Sequence, residues 1–145
     1  MSRENVEKVL RVMPAPDVDI IPLVRDDNKW AAWAEAIAPS YHSDCEGRFP
    51  TLPGNAGTYV GLDGLRAVWL DWTAPWTTYR AEVVEAIDCG DRVLLVAPTF
   101  GRLPGSTHEV KIDGANVWTV RDDKIARVEF YLTRAEALKA TGLEE

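Results

Sequence analysis

Apolar positions along this chain open in helical period and close in strand period. Val6, Val9, Leu10 and Met13 fall at i, i+3, i+4 and i+7, so a helix is expected from Ser2 to about Met13, stopped by Pro14 and Pro16. Residues 17–27 read as a connector holding a few buried apolar side chains. A second helix follows Asp26-Asp27-Asn28, with Trp30, Trp33, Ala34 and Ile37 on one face and Pro39 at its end. Residues 41–49 alternate as a short strand, Tyr41, Cys45 and Phe49 on one side and Asp44, Glu46 and Arg48 on the other. A Pro- and Gly-rich loop covers residues 51–61. A third helix starts near Asp63 with Leu65, Val68, Trp69 and Trp72 as its stripe, and Pro75 stops it. From Tyr79 the period is two, which predicts strands at 79–88, 92–101, 109–120 and 125–132 with turn residues at each joint. Thr133 and Glu136 form a capping box for a last short helix that Gly142 ends.

Helices first and strands last predict an α+β fold, with N-terminal helices packed in a curved, mostly antiparallel sheet, as a single domain over residues 1–145. Several strands are apolar on both faces, as in Val93 and Leu95 against Leu94 and Val96. Helices can cover one face only, so the other predicts a homodimer through the sheet.

Charge narrows the partners. With 23 acidic against 16 basic residues the formal net charge is −7, a field that repels a phosphate backbone, so no nucleic acid is expected. The longest apolar run, residues 93–98, is far too short for a bilayer, so no membrane is expected either. The N-terminal residues turn charged at once and show no secretory signal, which with two unclustered cysteines, Cys45 and Cys89, points to a cytoplasmic protein with reduced thiols. Beside them stand only His42 and His108, with no ligand spacing between, so no metal site and no cofactor are expected.

Tyr59-Val60-Gly61-Leu62-Asp63-Gly64-Leu65-Arg66-Ala67-Val68-Trp69-Leu70-Asp71-Trp72, followed by Gly90-Asp91-Arg92-Val93, Gly101-Arg102, Gly105-Ser106 and the run from Val120 to Glu129, resembles SnoaL-like domains of the nuclear-transport-factor-2-like superfamily. The resemblance implies a cone-shaped fold, a bent sheet wrapped around the helices with an apolar pocket between them, and dimers through the convex sheet face. It also implies where chemistry would sit. The base of the ketosteroid isomerases would fall near Gly47 or Arg48, and their oxyanion-hole Asp near Ala115, with Asn116 beside it. The catalytic Asp of the SnoaL cyclases would fall on Phe130, and the Asp-Arg-Asp set of the epoxide hydrolases is not recognisable in residues 96–100.

Asp44 and His42 are the candidate catalytic groups, an acid and an imidazole beside the expected pocket mouth. The candidate ligand-binding residues are Trp30, Trp33, Tyr41, Trp69, Trp72, Asn116 and Trp118. Each Trp pair lies three residues apart and so shares a helix face, while Asn116 and Trp118 share one side of a strand. Two functions fit. One is a cofactor-free isomerase or cyclase that moves a proton beside the carbonyl of a small apolar ligand. The other is a non-catalytic ligand-binding or dimerisation module.

Overall fold

The computed structural model describes residues 2–48 and 59–142. Phe49 and most of the 51–61 loop lie outside the described residues. Helix α1 (Ser2–Val12) ends where the prolines begin, and Val6, Val9 and Val12 are buried. Helix α2 (Ile20–Arg25) occupies the segment expected to be a connector. Three prolines hide it in the sequence, yet Pro22 sits in its first turn, where a missing N–H costs nothing. Asp19 Oδ1 caps it by accepting from Ile21 N at 3.1 Å and also accepts from Tyr79 N at 3.1 Å, which pins the helix to the sheet. Helix α3 (Asp27–Ile37) is capped by Asp26 and packs on α2.

Strand β1 (Tyr41–Arg48) and the two-residue β2 (Tyr59–Val60) precede helix α4 (Gly61–Thr73), which lies across β1. Three of the four expected long strands then break in two. They become β3 (Thr78–Ala81) and β4 (Glu85–Asp88), β5 (Arg92–Val96) and β6 (Thr99–Arg102), β7 (Val110–Ile112) and β8 (Ala115–Arg121). Only β9 (Lys124–Tyr131) runs unbroken to the final helix α5 (Arg134–Thr141).

The breaks line up, and that makes the cone. One sheet has the order β2-β1-β9-β8-β5-β4 and a second, smaller one the order β3-β6-β7. Pro98, which has no N–H, and Gly114 mark the bend, and Glu82 N to Pro98 O and Ala97 N to Gly114 O carry the hydrogen bonding around it. Pairing is antiparallel except for β1 on β9, which is parallel. At the β8–β9 hairpin Asp122 and Asp123 both take positive φ, as a two-residue turn matched to strand twist requires.

Inside the cone Val93, Leu95, Cys45, Ile125 and Val128 are enclosed under α1 and α4. The outer face holds a finding about assembly. Leu94, one of the residues behind the expected dimer, is covered within the chain by Ala137 and Leu138 of α5, together with Ala115 and Val117. Ile87 and Val96 lie half-buried beside them, and farther along the face Glu46 forms ion pairs with Arg48 at 2.9 Å and Arg127 at 3.3 Å. Among the described residues no helix is long and apolar enough to cross a membrane.

The two cysteines stand in different layers, Cys45 in the inner core and Cys89 against the outer one, and both are free thiols. Native protein should therefore yield one readily titrated thiol, Cys89, and release Cys45 to a thiol reagent only on unfolding. Equal rates for both would contradict that layering.

Candidate functional site

A cavity runs between α4 and the inner sheet face. Its volume is about 80 Å³ measured at the centres of water-sized spheres, several times the roughly 10–15 Å³ that one water needs on that measure. Val68, Trp69 and Trp72 come from α4; Tyr79, Thr99 and Ile112 from the smaller sheet; Asn116, Trp118, Val128 and Phe130 from the larger. Trp69 sets its edge against Phe130, centroids 5.9 Å apart at 78°, and against Tyr79 at 6.4 Å. Aromatic edges meeting faces in this way hold the wall in one arrangement. At its rim Trp76 lies over Gly101, where a Cβ would stand 2.5 Å from Trp76 Cε3, so only glycine admits the ring.

Polar groups in the wall form two chains whose direction is forced. An indole N–H can only donate. Trp72 Nε1 donates to Tyr79 Oη at 2.6 Å, so the Tyr79 hydroxyl hydrogen goes onward to Thr99 Oγ1 at 2.7 Å. The Thr99 hydrogen is then left over, on a residue that lines the cavity. In the second chain Trp118 Nε1 donates to Asn116 Oδ1 at 2.5 Å, which fixes the amide's orientation and leaves its NH₂ without a partner among the described residues. Both chains end in free donors. Thr99 and Asn116, both half-buried in the cavity wall, thus each keep a hydrogen for an acceptor.

No Asp, Glu, His, Lys, Arg or Cys lines this cavity among the described residues. Residues 49–58, outside them, contain no ionisable side chain. Phe130, at the place where the family resemblance would put a cyclase carboxylate, turns its ring into the cavity. Tyr131 also borders it, but its hydroxyl donates to Glu129 Oε2 at 3.3 Å, and burial followed by the Glu129 charge pushes that phenol up to about 12. Among the described residues no group of three His, Cys, Asp or Glu side chains is placed to hold a metal ion.

Of the residues singled out from the sequence, Tyr41, Trp69, Trp72, Asn116 and Trp118 come together around the cavity. Trp30 and Trp33 do not. Helix α2, unforeseen, packs beside α3, and Trp30 is buried against Ile20, Ile21 and Val24 with the Arg66 guanidinium 6.0 Å from its ring centre. Trp33 is wedged where the inner core meets that helical cluster. Asp44 is exposed and sits 3.7 Å from Arg121. His42 Nε2 donates to Arg121 O at 2.6 Å, since a carbonyl can only accept. His42 belongs to a separate open cleft, with Ser43, Asp63 and Lys124, on the far side of Tyr41. Neither catalytic candidate reaches the enclosed cavity. Tyr79 and Thr99 had no sequence signal, because their link depends on which strands pair and in what register.

Burial has a consequence at high pH. It pushes the phenols of Tyr41, Tyr79 and Tyr131 above the ordinary 10.0, and the Cys45 thiol from 9.0 up to about 11. The folded state keeps these protons longer than the unfolded chain does. Their stabilising contribution is complete below pH 9 and is lost as pH rises, first through the thiol window and then above 10. Stability should fall steadily above pH 9, with these three tyrosines ionising only as the protein unfolds. Free tyrosinate appearing from all of them in folded protein near pH 10 would contradict their enclosure.

Comparison with known proteins adds the following. The family model described as SnoaL-like domain matches residues 26–128. No curated protein sequence matches significantly. Among solved structures, a candidate SnoaL-like polyketide cyclase from Jannaschia sp. CCS1 aligns over 99% of this chain and 94% of its own at 17% identity and a TM-score of 0.65. TerC, co-crystallised with polyporic acid, aligns over 96% and 98% at 22% identity and 0.63. A protein of ketosteroid isomerase-like fold from Catenulispora acidiphila, in complex with trimethylamine, aligns over 90% and 95% at 16% identity and 0.56. At these identities the likeness is one of fold.

Proposed function

Because the chain belongs to the SnoaL-like domain family, we propose that it is a small-molecule-binding protein whose ligand is slender, largely apolar and carries a carbonyl-type acceptor oxygen, and that it holds this ligand without proton-transfer catalysis. The observation that supports the reading is the pair of donor chains ending at Thr99 and Asn116 in a wall with no carboxylate or imidazole among the described residues. Moving a proton beside a carbonyl needs a base within hydrogen-bond reach as well as a donor on the oxygen. Among the described residues the wall holds the donors and no base. TerC, of the same fold, was crystallised with polyporic acid, in keeping with a fold that takes small organic molecules. The reading places the protein in the cytoplasm, where free thiols such as Cys45 and Cys89 persist. It requires no second copy, because α5 supplies the cover that the outer sheet face was expected to seek from one.

The test compares 4-acetylbiphenyl with 4-ethylbiphenyl, which match in shape and differ in one acceptor. Quenching of tryptophan fluorescence should give about tenfold tighter binding of the ketone. Thr99→Val should shrink that preference. The acetyl hydrogens of the bound ketone should exchange with deuterated solvent no faster than in buffer. Equal affinities would sink the donor reading, and accelerated exchange would restore the isomerase or cyclase.

A further inference from the structure

Tyr41 carries a hydroxyl into the cavity wall that neither donor chain uses and that, unlike the Tyr131 hydroxyl, is not committed to a carboxylate. Its side chain is 7% exposed, lines the cavity, and has no hydrogen-bond partner among the described residues. Its hydroxyl is not among the fully enclosed, unpartnered polar atoms of the described residues, so it meets open space, and the open spaces that Tyr41 borders are this cavity and the His42 cleft. Burial holds it protonated, so it is a standing donor. Its position along the cavity is informative. Tyr41 lies opposite Ile125 of β9, whereas Asn116 lies opposite Phe130 of the same strand. Five residues of strand separate those levels, about 16 Å at the usual rise and less by the bulge between Ile125 and Arg127. Between them the wall is apolar, made of Trp69, Trp118 and Val128. Tyr41 also borders the open cleft that contains His42, so it stands where cavity and cleft come together.

Building on the binding function argued above, we propose that Tyr41 is a second ligand anchor and that the ligand class is an elongated molecule with an acceptor oxygen at each end and an apolar middle. One end takes hydrogens from Thr99 and Asn116, the other from the Tyr41 hydroxyl. The apolar span between them rests on the indoles.

Two rigid rods test it, 4,4′-diacetylbiphenyl and 4-acetyl-4′-ethylbiphenyl, which differ only in the second oxygen. The wild-type protein should bind the diketone about five- to tenfold more tightly, the worth of one buried neutral hydrogen bond. In Tyr41→Phe, which keeps the ring and removes the hydroxyl, the two rods should bind alike apart from the statistical advantage of two equivalent ends. The monoketone affinity should be retained and the melting temperature unchanged or raised. A diketone preference that survives Tyr41→Phe, or a wild-type protein that prefers the monoketone to 4,4′-diethylbiphenyl yet gains nothing from the second acetyl group, would overturn the second anchor alone. A melting temperature lowered by Tyr41→Phe with the preference intact would mark the hydroxyl as structural and overturn it too. If neither ketone outbinds 4,4′-diethylbiphenyl, the Thr99–Asn116 reading fails first and takes this one with it.

Discussion

Leu94→Ala should lower the unfolding free energy by about 2–5 kcal/mol, the largest single effect expected in this protein. Leu94 is fully enclosed on the outer face of the sheet, where α5 closes over it with Ala137 and Leu138 and where Val117 and Ala115 flank it. Truncation removes three carbons from a site whose walls are a pleated sheet on one side and a short helix on the other. The sheet cannot collapse into the gap, so the cost combines lost apolar burial with the cavity left behind. Val84→Ala is the control: at 59% exposed it should change stability by about 0.5 kcal/mol or less. Urea unfolding of both variants checks this. A Leu94→Ala cost as small as the control's would mean that α5 does not seal that face. The dimer through the sheet would then regain its physical motive.

Tyr79→Phe should cost about 1–3 kcal/mol although it removes one oxygen atom. That oxygen accepts from Trp72 Nε1 at 2.6 Å and donates to Thr99 Oγ1 at 2.7 Å, on a residue 1% exposed. Without it the indole N–H loses its acceptor at this link, and the desolvation offset by that bond is restored as a cost. Trp72→Phe/Tyr79→Phe should cost less than the sum of its single changes, because the double change leaves no orphan at that link. Strict additivity in thermal unfolding would show that the two groups are not coupled. Ligand preference should respond as well. With the first two links gone, the Thr99 hydroxyl is free to rotate and no longer has its hydrogen directed into the cavity.

How far the residues foretell this molecule depends on whether a feature is local. Helices α1, α3, α4 and α5 follow from apolar spacing and from caps such as Thr133, whose Oγ1 accepts from Glu136 N at 3.1 Å. Apolar residues continue through 79–88 and 92–101 with only Pro98 to interrupt them, so the pattern reads as long strands. What changes at Val83, Pro98 and Gly114 is the partner strand, and a period of two carries no record of partners. Helix α2 is hidden by Pro22 and shows its effect in the misplacement of Trp30 and Trp33. Spacing correctly predicts that each Trp pair shares a helix face. It cannot tell that α4 lies on the sheet while α3 lies behind α2. The donor chains are less legible still. Trp72 to Tyr79 to Thr99 joins a helix and two strands, and its direction emerges only when atoms are placed. Asn116 beside Trp118 is visible as an i, i+2 pair on one strand face, but that the indole donates to the amide oxygen is seen only in the structure.

The most direct measurement of the central claim is the carbonyl stretch of isotopically labelled 4-acetylbiphenyl bound to the full chain, read by difference infrared spectroscopy. An oxygen that accepts from Thr99 and Asn116 in a dry cavity should absorb below its frequency in hydrocarbon solvent, and the shift should shrink in Thr99→Val. A bound carbonyl at the hydrocarbon frequency, unmoved by that substitution, would mean that the cavity takes the ligand by shape alone and that its donors are not a recognition device.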